Sequence, residues 1–339
     1  FLWPALVLVL LVTSCKKPFD LPGGDIDNSI LIVEGTIAVG DNAENIFKLS
    51  RLSPLESGSA GIPEYSATVH IVSSNGTIYP LNENLAGSYT AVLSLPVTDS
   101  YKLQVQTSSG DQYESKLEAP VITPEIDSVT WKQPEEVNFY VHTHDDTKQT
   151  RNYRWEFSET WEYNAWFEAT LDFKNGTIVS RPAEEQVYTC WKTDSSKSII
   201  IGTSSALSDD IISYQPLNTI TKLTPLDRNK LSVRYSILVK QLGLTKEAYN
   251  FWDILKKNTE LSGTLFDPQP SRLASNIQCI NDPAKEVIGF VSVGKVTTKR
   301  IFVRHSELRL WPVLDESETC LKSTMSVAEA EAYLANDNF

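Results

Sequence analysis

Leu231-Ser-Val-Arg-Tyr-Ser-Ile-Leu-Val-Lys240 alternates almost without a break. Leu231, Val233, Tyr235, Ile237 and Val239 fall on one side of an extended chain, and Ser232, Arg234, Ser236 and Lys240 on the other. Side chains repeating with a period of two mark a strand with one buried and one wetted face. Working outward, the pattern recurs. Tyr101, Leu103 and Val105 alternate with Lys102, Gln104 and Gln106, and Ala67 to Ser73 alternates before Asn75-Gly76. That dipeptide predicts a hairpin with a type I′ turn, which wants φ > 0 at both central positions. Ile30 to Ala38, the stretch opened by Gly87-Ser88-Tyr89, and Tyr113 to Leu117 after Gly110 are further strands. Val137 to Val141, Tyr153 to Phe157, Val187 to Trp191 and Ser198 to Ile201 continue the series. Val287 to Val293 and Val296 to Val303 close it as two strands joined by a hairpin at Gly294-Lys295. Alternation of this kind belongs to antiparallel sheets packed on one face, so the chain is expected to be all-β.

Two helices interrupt the pattern. Thr245 caps one, with Glu247 in its first turn and Ala248, Phe251, Trp252 and Leu255 at helical spacing. Ser326 to Leu334 is a short second one, with Ser326 and Glu329 as a capping box. From Ile30 to about Pro120, short strands and polar turns resemble the immunoglobulin-like and transthyretin-like β-sandwiches of ~90 residues. Pro120 and Pro124 then favour an extended linker. The division that follows is a leader over 1–14, a tether over 15–29, an immunoglobulin-like sandwich over 30–122, and a larger β-rich domain with a short inserted helix over 123–339.

The leader assignment comes from Phe1 to Cys15, FLWPALVLVLLVTSC. An apolar run of this length is too short to span a bilayer and suits a signal-peptide core. It ends in Val12-Thr13-Ser14-Cys15, which resembles the lipobox of bacterial lipoproteins, where the cysteine thiol is acylated and the chain is cut just before it. Phe1 is neither Met nor part of a basic segment, so the start is read as truncated and the mature chain as beginning at Cys15. Several acyl chains on one cysteine make a lasting anchor, at about 0.8 kcal/mol per buried CH₂. Lys16 stands where an Asp holds many lipoproteins in an inner membrane, so the outer membrane is expected.

Charge narrows the partners. A formal net charge of −13 disfavours a phosphate-backbone binder, which needs a basic surface. No Gly-Xaa-Ser-Xaa-Gly elbow, His-Glu-Xaa-Xaa-His helix or phosphate loop is present, so no catalytic residue and no cofactor is assigned. His142, His144 and Asp146 would share one strand face as metal ligands can, but His70 and His305 lie far away in sequence, and the segment reads as a strand leaving through an acidic turn. Trp161, Tyr163 and Trp166 sit among Glu and Asn, and are the aromatic candidates for contact with a ligand or partner, against the alternative of a second core layer. Beyond Cys15, three cysteines remain. Cys279 and Cys320 flank the last hairpin, and a bridge between them would close a loop of about 40 residues and contribute about 4 kcal/mol in the chain-entropy model. Cys190 would then be a free thiol in the core.

Tyr235-Ser-Ile-Leu-Val-Lys-Gln, Thr245-Lys-Glu-Ala-Tyr-Asn-Phe-Trp, Gly263-Thr-Leu-Phe-Asp-Pro-Gln-Pro-Ser271, Asn276-Ile277, Val287-Ile-Gly-Phe and Lys299-Arg-Ile-Phe302 together resemble one family. It is the Bacteroidetes outer-membrane lipoprotein family known as domain of unknown function 4249. The resemblance implies a non-enzymatic cell-envelope lipoprotein, an accessory of a TonB-dependent receptor in nutrient uptake, with the cell surface favoured over the periplasmic face. It brings no catalytic residues to carry over. The alternative is a stand-alone glycan-binding or adhesive surface module. Family members often continue into a cysteine-containing tail, which leaves open a partner for Cys279 or Cys320 outside this chain.

Overall fold

The computed structural model describes residues 30–52, 61–85, 87–165, 168–260 and 273–312. The chain enters with β1 (Leu31–Arg51) and β2 (Ile62–Pro63). β3 (Thr68–Ser73), β4 (Ile78–Leu85), β5 (Ser88–Leu95), β6 (Tyr101–Gln106) and β7 (Gln112–Ser115) follow, ordered β1-β5-β4-β3-β6-β7 across an antiparallel sheet. Tyr101, Leu103 and Val105 all face a core with Phe47, Ile71 and Tyr89, as their alternation predicts. The β3–β4 hairpin forms, but with different turn chemistry. Only Gly76 takes a positive φ (88°), while the Gly76 N–H donates to Ser73 O at 2.9 Å. This is a tight turn closed by one left-handed glycine, and Asn75 Oδ1 helps to hold it by accepting from the Thr77 N–H. β1 runs well past the expected Ala38, because Asn45, although polar, satisfies itself inside the sheet by bonding both ways with the Ala38 backbone.

A second sandwich begins with β8 (Ile126–Lys132), β9 (Val137–His144), β10 (Asn152–Asn164), β11 (Leu171–Lys174) and β12 (Thr177–Ser180). It continues with β13 (Thr189–Ser195), β14 (Ile200–Thr203), β15 (Ile211–Ile220), α1 (Pro225–Lys230) and β16 (Arg234–Leu244). After α2 (Lys246–Glu260) come β17 (Ile277–Cys279), β18 (Val287–Gly289) and β19 (Ser292–Arg304). The three-stranded sheet β15-β9-β8 packs against β13-β10-β16-β19 over Phe139, Trp155, Tyr235, Ile237 and Val239. Thr245 caps α2 by accepting the Ala248 N–H at 3.1 Å, and Ala248 and Phe251 bury its apolar face against Leu242 and Phe290. The capping-box helix expected over Ser326 to Leu334 lies outside the described residues.

Two features of the joint between the sandwiches differ from expectation. β19 is one strand with no hairpin at Gly294-Lys295. Its first residues pair in parallel with β1 of the first sandwich, and Val296 onward pairs antiparallel with β16 of the second. Gly294 is there for close approach: a Cβ would lie 3.0 Å from Val121 O. The segment expected as a linker is itself docked at that point. The Val121 N–H donates to Val293 O at 2.9 Å, the Lys295 N–H to Val121 O at 3.1 Å, and the Gly243 N–H to Thr123 Oγ1 at 2.8 Å. The expected division at 122/123 is therefore crossed by later strands. β17 pairs with β7 and β18 with β1, so residues far along the chain complete the first sandwich.

Candidate functional site

β10, β16 and β19 bury one alternating set of side chains in the second core, and the other set forms the outer face of their sheet, covered by α2 at the Arg154–Leu242–Val296 end and open at the Glu162–Arg234–Arg304 end. Cross-strand register puts Trp191, Glu162, Arg234 and Arg304 in one row across four strands. The next row contains Thr160, Ser236 and Phe302. Along β19, Arg300 and Arg304 flank Phe302 at the two-residue spacing that keeps all three on this face. Trp191 is 61% exposed and Phe302 56% exposed, so each offers a ring surface to solvent.

The polar groups between the rings are oriented. Arg300 Nη1 donates to Ser236 Oγ at 2.7 Å, and Arg234 Nη2 lies 3.0 Å from Glu162 Oε2. Among the described residues no carboxylate pairs with the guanidinium of Arg300 or Arg304; Glu307, close in sequence, instead accepts the Arg304 backbone N–H at 2.6 Å. A shallow pocket of about 120 Å³ lies between Trp191, Arg234, Arg300 and Phe302. A broader depression of about 560 Å³ adjoins it over Arg304 and His305. His305, which lines that depression, donates through Nδ1 to Leu231 O at 3.0 Å.

Beneath this face the chemistry is closed. Glu159 accepts from Lys230 Nζ (2.6 Å), the Tyr235 hydroxyl (2.7 Å) and Asn218 Nδ2 (3.1 Å). Burial, with Glu159 beside it, pushes the Tyr235 hydroxyl well above the usual phenol range, so this hydroxyl stays protonated and holds the strands together.

The residues singled out from sequence are scattered. Trp161 is 1% exposed, which corrects its assignment as a contact residue. β10 continues unbroken to Asn164, so Trp161 keeps the inward side set by Tyr153, Trp155 and Phe157, under Lys230 Nζ at 5.2 Å from the ring. Tyr163 packs partly against the same core. Trp166, Cys15 and Cys320 lie outside the described residues. Cys279 is buried in the first core, where its Sγ donates to Asn281 Oδ1 at 3.2 Å. Cys190 is half-buried on the outermost strand and is not the core thiol expected. His142 and His144 do share a face of β9, but each is engaged separately. His142 Nδ1 accepts the Tyr214 N–H at 3.3 Å, and burial keeps this imidazole below its usual range. His144 Nδ1 meets Asp127 at 2.8 Å, and that bond raises its pKa. Trp191, Phe302 and the three arginines were missed. The alternation Arg300, Phe302, Arg304 is visible in sequence, whereas the register that sets β19 beside Arg234 and Trp191 is not.

A family model described as "Domain of unknown function (DUF4249)" matches residues 16–300. No curated protein matches this chain closely enough to count as a relative. Among solved structures, the chain is similar to "Structure of Yersinia pseudotuberculosis adhesin InvE", at 14% identity over 62% of this chain and 54% of that one, with a TM-score of 0.18. It is also similar to a putative membrane-anchored protein from Corynebacterium diphtheriae, at 8% identity over 62% and 54% of the two chains, with a TM-score of 0.19. The chain thus spans about half the length of each structure, 54%. At those TM-scores neither carries an argument about function.

Proposed function

The chain belongs to the family described as domain of unknown function DUF4249, and from that premise we propose that it is a non-enzymatic lipoprotein of the bacterial cell envelope. Cys15 carries the lipid, the anchor holds the protein at the outer membrane, and the outer face of β13-β10-β16-β19 captures a ligand for a TonB-dependent receptor. The observation that carries the capture role is the open face itself. It is shallow and wide, it presents Trp191 and Phe302 to solvent, and oriented arginines stand between the rings. Exposed aromatic and arginine side chains are the residue types that dominate binding surfaces. The lipobox at Val12-Thr13-Ser14-Cys15 supports the anchor. No helix among the described residues is long and apolar enough to cross a membrane.

The same face suits a stand-alone glycan-binding or adhesive module, and one experiment separates the two. The lipidated protein is purified by affinity tag from its own membrane after mild cross-linking. Co-purification of a TonB-dependent receptor is the expected result. Recovery of the protein without any receptor rejects the accessory role and leaves the stand-alone module.

A further inference from the structure

We propose that the ligand of the β13-β10-β16-β19 face is an acidic saccharide, a chain of sugar rings carrying carboxylates. This rests on the reading of that face as the capture surface. Three observations carry it. First, the face is basic on an acidic molecule. The chain has 43 acidic and 30 basic residues, yet Arg234 and Arg304 share their row with a single glutamate, Glu162, which is taken by Arg234, and Arg300 adds a third guanidinium on the other side of Phe302. The guanidinium groups of Arg300 and Arg304 have no carboxylate partner among the described residues. A planar guanidinium binds a carboxylate through two parallel hydrogen bonds, so this pair of side chains is matched to carboxylates at intervals along a ligand.

Second, Trp191 and Phe302 stand on the two outer strands of the four, three inter-strand spacings of about 4.8 Å across and two residues along, which sets their backbone positions about 16 Å apart. Each ring is exposed and each has an apolar face onto which the flat underside of a sugar ring can stack. Both rings line the same shallow pocket, so one chain of sugar rings can reach the two platforms together. Third, the ground between the rings is polar and fixed: the Thr160 hydroxyl is bonded to that of Thr193 at 3.1 Å, and the buried Ser236 hydroxyl accepts from Arg300 and orients its guanidinium. A guanidinium held in place over a polar floor suits a ligand that carries carboxylates. An acidic peptide would use the charges but would leave the paired ring platforms idle. The other aromatic group on this sandwich, Tyr140, His142 and Tyr214, is already spent on itself. Lys132 Nζ lies 3.9 Å over the Tyr214 ring, and the other two rings meet Tyr214 edge-on.

The test uses the full lipidated chain in detergent, with calorimetric titration of oligogalacturonate as the acidic probe. Its methyl-esterified form, with the same rings and no charge, and a poly-glutamate peptide are the comparisons. The acidic oligosaccharide is expected to bind at least about tenfold more tightly than either. Arg300→Gln with Arg304→Gln, and separately Phe302→Ala, are each expected to weaken it at least about tenfold. Val92→Ala, at a side chain 66% exposed on the first sandwich, is expected to leave it unchanged. Raising ionic strength from about 0.1 M to about 1 M shortens the screening length from about 10 to about 3 Å and should weaken binding of the acid. Equal binding of the neutral ester, tighter binding of the peptide, binding indifferent to the variants, or no saccharide binding would each overturn the inference. If saccharide binding fails while the receptor still co-purifies, only the ligand class is wrong. If saccharide binds and no receptor co-purifies, the ligand class stands and the accessory role falls.

Discussion

Glu159 carries a charge into the second core at 4% exposure, and Lys230 meets it there. Removing one member of a buried pair leaves the other uncompensated, at a cost of about 3–5 kcal/mol. Lys230→Met is expected to lower the unfolding free energy by about 3 kcal/mol in a denaturant titration. Lys230→Met combined with Glu159→Gln should cost less than the sum of the two single changes, because they share one interaction. Simple additivity would show that they do not act as a pair. Asp145 holds the turn after β9 with both oxygens. Oδ1 accepts from the Thr147 N–H (2.9 Å) and hydroxyl (2.6 Å), and Oδ2 from the Gln149 (3.1 Å) and Thr150 (2.9 Å) N–H groups. Burial alone would raise its pKa, but those hydrogen bonds outweigh it and hold the carboxyl below its usual value. A depressed folded pKa contributes stability that is present above the unfolded value, about 3.9, and lost as pH falls through the folded one. Asp145→Asn should therefore destabilise the protein by about 1–3 kcal/mol at pH 7. The gap from the parent should close as pH drops below about 4. A gap that stays constant down to low pH would reject this role.

β19 is the element that decides the architecture, because it leaves β1 and joins β16 within one continuous strand. The docked segment around Val121 sits over that switch, and Gly243 makes room for it. A Cβ at Gly243 would lie 2.6 Å from Thr150 Cγ2 and 2.7 Å from Val121 Cγ1. Gly243→Ala is expected to cost about 1–3 kcal/mol through overpacking. In the parent, the Val121 and Gly243 amides should resist hydrogen exchange as strongly as the middle of β19. Exchange at the rate of an open loop would show that this segment is a free linker after all. The fold class was legible because period-two patterning acts locally: β6 and the cap of α2 lie where their residues predict, while β10 runs on past Phe157 to Asn164 and β16 starts at Arg234 instead of Leu231 and runs on to Leu244. What escaped was set between distant residues. Gly294-Lys295 looks like a turn until Val121 is seen to need that space. Trp161 looks like a loop residue among Glu and Asn until β10 is seen to carry alternation through it. α1 was missed although Thr224 and Pro225 mark its start, with the Thr224 hydroxyl accepting the Asp227 N–H at 3.2 Å. The candidate face was half legible: Arg300, Phe302 and Arg304 alternate in plain view, but their company on other strands depends on register.

At the scale of the whole molecule, two sandwiches share one sheet among the described residues, and the basic, aromatic face lies on the second. The first sandwich, completed by β17 and β18, stands nearer in sequence to the proposed anchor and serves in this account to hold the second away from the membrane. Cys15→Ala is expected to leave an uncut precursor that takes up no labelled palmitate, and labelling equal to the parent would reject the anchor. If the outer face of the second sandwich is where the protein meets its ligand, position 302 is in contact with that ligand and position 92 is not. The most direct measurement is light-driven cross-linking in living cells from a diazirine side chain placed at position 302, with the same side chain at position 92 for comparison, and adducts read by mass spectrometry. Adducts are expected from position 302 and none from position 92. Equal adducts from both positions, or adducts from position 92 alone, would contradict contact through that face.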